Sequence, residues 1–343
     1  MTPLAARLRR QIAQTGPMPV AAFMAACLTD PEHGYYTTRD PLGPGGDFVT
    51  APEISQMFGE LIGLWAASVW RMMGAPDRFV LAELGPGRGT LMADALRAGA
   101  RVPGFAAAAQ VWLVEASPVL RAAQARAVPN ADWAAGVADL PPGPAIVLAN
   151  EFFDALPIRQ FLRAGAGWRE RVVGLTGDAL ALGLAPAAAD PVLEARFGDV
   201  AEGEIVEVGA AGEAVAAVLA ARGAVLLALD YGAWQGTGDT LQAVRDHAFA
   251  EVLADAGAAD LTAHVGFRWL AEAAADQAAQ FDTQGAFLER LGITPRAQAL
   301  ARAGDTGAAA AHRRLVHPQE MGTLFKVLAL RPPALPPLPG FAP

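Results

Sequence analysis

Lysine and cysteine are almost missing from this chain. Lys326 is its single lysine and Cys27 its single cysteine. One cysteine excludes a disulfide framework within the chain and a thiolate metal cluster. The five histidines, His33, His247, His264, His312 and His317, are scattered with no metal-type helical pair, so no metal centre is expected. No run of about eighteen uncharged apolar residues occurs, so no membrane-spanning helix and no integral membrane contact are expected. Acidic residues outnumber basic ones, 35 to 26, for a net charge of −9. A nucleic-acid binder needs a basic face, and this balance argues against one. No internal repeat is visible.

What is present is a glycine turn between a strand and a helix. Phe79-Val80-Leu81-Ala82 reads as a buried parallel strand. Glu83-Leu84-Gly85-Pro86-Gly87-Arg88-Gly89-Thr90 follows, and Leu91, Ala95 and Leu96 then share one helical face. Such a turn is where α/β folds bind nucleotides. A dinucleotide fingerprint would need glycine or alanine at position 90, and Thr90 stands there. The turn lets backbone approach a ligand closely, and Glu83 can receive an ammonium group. That combination suits S-adenosylmethionine (SAM) better than NAD, with Gly85, Pro86, Gly87 and Gly89 around it.

Around the turn the chain alternates strand and helix. A strand over residues 111–114 ends at Glu115, and a helix follows from Pro118. An extended piece lies at 131–134, and strands at 145–149 and 224–229 end at Asn150-Glu151 and Asp230-Tyr231-Gly232. Residues 158–208 alternate apolar and polar side chains around Gly165-Ala166-Gly167, which predicts an inserted β-hairpin lobe. Residues 234–323 read as loop and helix, 324–330 as a last strand, and the proline-rich end as a disordered or polyproline II tail. Residues 1–16 are arginine-rich and free of acids, as a transit peptide is. Leu4, Leu8 and Ile12 nevertheless read as one face of an ordinary amphipathic helix. A second helix follows over 20–28, then a long Gly/Pro-rich loop over 41–46 and a helix over 51–73. Thr50 and Glu53 form a capping-box pattern at the start of that last helix. The expected divisions are a helical cap over 1–75, the core over 76–157 and 209–331, the lobe over 158–208, and the tail over 332–343.

In open α/β sheets the ligand lies beyond the carboxyl ends of the strands. Glu115 stands there, able to accept both ribose hydroxyls. Asp139 follows the third strand region, where a side chain can reach the adenine amino group. Asn150-Glu151-Phe152-Phe153-Asp154 crowds two carboxylates and two aromatics at the exit of the fourth strand, with Asn150 expected on the cofactor side. Beside a SAM methyl, that exit is where a methyl acceptor must lie. A carboxylate there offsets the repulsion between a guanidinium and a sulfonium and pairs with the guanidinium's planar fork. Glu151 and Asp154 are therefore the expected catalytic residues. An acceptor needing a free base has only His264 to offer.

These blocks resemble the MidA-like SAM-dependent protein arginine methyltransferases, which include mitochondrial methyltransferases assisting respiratory complex I assembly. The likeness runs through Pro31-Glu32-His33-Gly34-Tyr35-Tyr36, Gly46-Asp47-Phe48-Val49-Thr50-Ala51-Pro52-Glu53-Ile54-Ser55, Phe58-Gly59-Glu60, the glycine turn, Asn150-Glu151-Phe152-Phe153-Asp154-Ala155-Leu156-Pro157, Asp230-Tyr231-Gly232, Asp260-Leu261-Thr262-Ala263-His264-Val265 and Met321-Gly322-Thr323-Leu324-Phe325. It implies a class I methyltransferase fold (α/β, Rossmann-like, mostly parallel sheet) with an N-terminal helical cap and an inserted β lobe. It implies that Gly85, Gly87 and Gly89 line SAM and that residues 46–55, with Thr50 and Glu53, help form the pocket. For the mitochondrial members it implies a protein substrate: an arginine of a complex I core subunit, symmetrically dimethylated. The family's animal members tend to have histidine where Asn150 stands and aspartate where His264 stands. The sequence expectation is a cytoplasmic enzyme of this kind. The rivals are methylation of a small molecule and a SAM-binding assembly chaperone with little turnover.

Overall fold

A computed structural model describes residues 2–39, 49–236 and 238–342. Its centre is a twisted sheet of seven strands: β1 (Phe79–Leu84), β2 (Ala109–Val114), β3 (Asp132–Ala134), β4 (Ala145–Asn150), β5 (Val225–Ala233), β6 (Ala278–Thr283) and β7 (Phe325–Arg331). Their spatial order is β3-β2-β1-β4-β5-β7-β6, with a short strand, Val265–Gly266, added beside the end of β5. The first five run parallel, and β7 lies antiparallel between β5 and β6. This is the class I methyltransferase arrangement expected from the sequence. The order reverses between β1 and β4, so the crevice at their carboxyl ends is the natural ligand site.

β1 and β4 are buried along their whole length, which explains their unbroken apolar runs. Helices Gln56–Met72 and Thr90–Gly99 cover one face of the sheet. They approach closely because Gly63 lacks a side chain: a Cβ there would lie 2.3 Å from the Ala95 carbonyl oxygen.

The N-terminal stretch divides between two cores. Helices Pro3–Thr15 and Val20–Thr29 bury Leu4, Leu8, Phe23 and Met24 against Val173, Ala243 and Leu261, away from the sheet core that holds Gln56–Met72. The inserted lobe exceeds a hairpin. Arg159–Ala164, Gly167–Thr176, Ala179–Leu184 and Ile205–Val208 form one sheet, which Met18–Pro19 joins as a fifth strand.

Two other expectations fail. Residues 234–323 contain β6 and a small sheet of Gln242–Arg245, Ala248–Ala250 and Asp260–Thr262. The proline-rich end is packed, with Leu338 and Phe341 buried and the Trp65 indole N–H donating to the Pro339 carbonyl at 3.1 Å.

Candidate active site

A pocket of about 390 Å³ opens at the carboxyl ends of β1, β2 and β4. The glycine turn forms one wall. Gly85, Gly87 and Gly89 have φ of 57°, 53° and 86°, left-handed values that glycine adopts without strain. The Gly85 N–H donates to the Val114 carbonyl at 3.0 Å, and the Gly89 N–H to the Pro86 carbonyl at 2.7 Å.

Glu83 ends β1 inside this wall. Its carboxyl is buried, and Oε2 has no hydrogen-bond partner among the described residues. Burial pushes its pKa up to about 8, with the Met92 backbone N–H pulling against the rise. An orphaned oxygen on a buried carboxyl in a ligand pocket is an acceptor that a donor on a ligand can satisfy. The residues present therefore fit the ammonium of SAM.

Glu115 lines the same pocket and is held from behind. Its Oε1 accepts from the Ser117 N–H at 2.7 Å and its Oε2 from Gln124 Nε2 at 3.1 Å. Burial raises its pKa. Gln124, fully buried, was missed by sequence reasoning. Its amide also donates to the Gly87 carbonyl at 2.8 Å and accepts from the Trp133 indole at 2.8 Å. It thereby ties the glycine turn to Glu115. Its signal was a glutamine one turn after Leu120 on the buried face of Pro118–Ala127.

Thr50 and Glu53 line the pocket too, but not as a capping box. The Thr50 side chain makes no cap bond, while Glu53 Oε1 accepts from the Thr90 hydroxyl at 2.6 Å. The expected single helix breaks at Ser55, which caps Gln56–Met72 through the Met57 N–H. Residues 46–48 of this segment lie outside the described residues.

Asp139 is corrected. It is exposed and absent from the pocket wall, because its carboxylate turns back to accept from the Gly136 N–H at 3.1 Å. Gly136 and Val137 line the pocket in its place.

The exit of β4 forms the opposite wall. Asn150 is buried, its Nδ2 donates to Glu151 Oε1 at 3.1 Å, and its Oδ1 is unpartnered among the described residues. Glu151 has φ of 51°, a left-handed conformation that is strained for a non-glycine residue. Its Oε1 also accepts from the Ala51 N–H at 3.0 Å, and Oε2 takes no bond among the described residues. Burial pushes its pKa up to about 7; the Ala51 N–H opposes this and Asp154 adds to it.

Two expected catalytic residues lie elsewhere. Asp154 is buried behind the wall, with Oδ1 unpartnered among the described residues and its pKa raised by burial to about 6. The turn after Glu151 carries its side chain into the protein. His264 lines a separate cavity of about 320 Å³ with Glu207, Thr240 and Trp269. Burial, with Lys326 nearby, lowers its pKa, so the ring is neutral at pH 7. The strand Asp260–Thr262 and the following Val265–Gly266 carry it to that side of β5.

Residues 61–286 match the model of a family described as S-adenosyl-L-methionine-dependent methyltransferases. The chain belongs to that family. Curated relatives include the protein arginine methyltransferase NDUFAF7, mitochondrial, of Danio rerio, 35% identical over 94% of this chain and 85% of that one. The Homo sapiens protein of the same name is 35% identical over 97% of this chain and 84% of that one. Among solved structures, a COG1565 superfamily member from Burkholderia thailandensis bound to S-adenosyl-homocysteine superposes with a TM-score of 0.85. It is 27% identical and is matched over 98% of this chain and 93% of that one. The methyltransferase thus uses SAM, as the glycine turn indicated. The expected cytoplasmic location is corrected: the curated relatives are named as mitochondrial proteins, which conflicts with it.

Proposed function

We propose that this methyltransferase acts on the guanidinium of a protein arginine, and that its acceptor is a core subunit of an NADH:quinone oxidoreductase, symmetrically dimethylated. The observation that carries the reading is Glu151, a carboxyl held at the pocket wall with Oε2 unbonded. Beside it Asn150 offers an orphaned Oδ1. Both residues line the pocket, and the carboxyl of Glu151 is an acceptor, which suits a donor-rich cation. The relatives' printed names support arginine, and the family resemblance supports the complex I subunit.

SAM, when bound, supplies an electrophilic methyl group. The chain's own part is placement and charge. The glycine turn and Glu83 fix one end of the pocket, and Glu115 with Gln124 fixes the ribose side. Glu151, ionised once a cation sits beside it, holds the acceptor guanidinium close to a second positive charge and offsets their repulsion. Holding the acceptor beside the methyl group adds proximity to that electrostatic effect.

The test is transfer from labelled SAM into a purified complex I core subunit, followed by mass spectrometry. Symmetric dimethylarginine on that subunit is the expected product. Tight SAM binding with no label in arginine would overturn the reading in favour of another acceptor or an assembly chaperone.

A further inference from the structure

We propose that Asp230 is the positioning residue of the acceptor site, the group that holds Glu151 in its left-handed turn. Asp230 lies on β5, fully buried, one residue beyond the point where Leu229 pairs with Asn150 of β4. The Glu151 N–H donates to the Leu229 carbonyl at 2.9 Å. The next three backbone N–H groups then converge on one atom. Phe152, Phe153 and Asp154 donate to Asp230 Oδ2 at 3.2, 3.0 and 3.2 Å. Asp230 Oδ1 accepts from the Tyr231 N–H at 2.9 Å.

Successive N–H groups turned inward make a concave anion site, of the kind that elsewhere takes phosphate. Here a carboxylate from a distant strand fills it. A positive φ at a residue with a side chain persists only where its surroundings impose it. Glycine would adopt that turn freely, but glycine carries no carboxylate. The clamp therefore lets a glutamate occupy a glycine-type conformation. It also fixes the cofactor side: Phe152 Cδ2 lies 2.9 Å from where a Cβ on Gly85 would stand. The turn that presents Glu151 is thus braced against the glycine turn. An asparagine at 230 keeps one acceptor oxygen and replaces the other with a donor, which meets the N–H cluster or the Tyr231 N–H unfavourably.

The inference rests on the reading of Glu151 as the acceptor-binding group, and two measurements separate the claims. Amide hydrogen exchange on the whole protein needs no acceptor. The N–H groups of 152–154 should exchange as slowly as those of β4 in the wild type, and in Asp230→Asn they alone should become fast. Loop-rate exchange in the wild type overturns the clamp, and that arm holds even where Asp230→Asn fails to fold. The second measurement is methyl transfer into an arginine peptide. Asp230→Asn should lower kcat by at least about thirtyfold while the SAM Kd stays within about threefold. Combined with Glu151→Gln, it should reduce kcat no further than about threefold below Glu151→Gln alone, because the two residues act as one unit. Multiplying effects, or wild-type kcat in Asp230→Asn, overturn the positioning role. Absence of transfer by the wild type overturns the arginine reading and leaves the exchange result to decide on the clamp.

Discussion

The two strand exits that form the pocket solve one problem in opposite ways. After β1 the chain must turn sharply and leave room for a ligand, and glycines at 85, 87 and 89 provide this locally. After β4 it must also turn through a left-handed residue, but that residue is Glu151. Its conformation is imposed by hydrogen bonds from β5, with Asp230 taking three consecutive N–H groups. The cofactor side is written in adjacent residues, whereas the acceptor side is assembled from residues 79 positions apart at the extremes, 151 and 230. A local turn tolerates change elsewhere in the chain. A turn made by distant parts can carry a reactive side chain where glycine would carry none.

The comparison can be broken most severely at the first exit. Gly87→Val puts a β-branched residue at φ 53° and fills space beside the ligand. SAM binding should fall by more than about a hundredfold, equivalent to about 2.7 kcal/mol. Calorimetry on the folded variant decides, and an unchanged Kd would show that the turn does not bind the cofactor.

Glu83 sharpens the same side through pH. With its pKa pushed up to about 8 in the free protein, Glu83 binds a proton at pH 6 and must lose it to pair with a cation. SAM affinity should therefore rise as pH increases from 6 towards 8, by no more than about tenfold per pH unit. Because the folded-state pKa is raised, the free protein should lose stability as pH climbs from near 4.5 through 8. Glu83→Gln should flatten the affinity trend, shrink the stability trend without removing it, since Glu151 and Asp154 contribute with the same sign, and weaken SAM at pH 8 by about tenfold or more. Calorimetry and thermal melts across that range provide the check.

A smaller effect is expected at Gln124, the brace between the glycine turn and Glu115. Gln124→Leu strands the Trp133 N–H and removes the donor to Glu115. It should destabilise the fold by about 1–3 kcal/mol, the range for a buried unsatisfied group. SAM affinity should fall by less than in Gly87→Val. A melt unchanged from wild type would mean that water replaces the amide.

The same contrast explains what could be read from the sequence. Strands β1 and β4 were legible because they are buried on both faces and so appear as unbroken apolar runs. Glu83, the glycines and Glu115 were legible because each stands at a fixed place relative to its own strand. Asp139 misled because the rule places a residue after a strand without saying where its side chain turns; the Gly136 N–H captured it. Asp154 and His264 misled because neighbours in sequence are not neighbours in the pocket. The strand β6 escaped notice because it lies at a sheet edge and mixes polar with apolar residues. The packed tail escaped because prolines look alike in sequence whether or not Leu338 and Phe341 find a core.

The central claim is that charge at Glu151 holds the methyl acceptor. The most direct measurement is radiolabelled methyl transfer by Glu151→Gln into an arginine-containing acceptor, with SAM affinity and melting measured on the same preparation. Glutamine keeps the size and the acceptor for the Ala51 N–H. SAM affinity and stability should stay near wild type while transfer falls at least about a hundredfold, a loss of about 2.7 kcal/mol of transition-state stabilisation. Wild-type transfer by Glu151→Gln would contradict the claim and leave Glu151 as a structural residue of the turn.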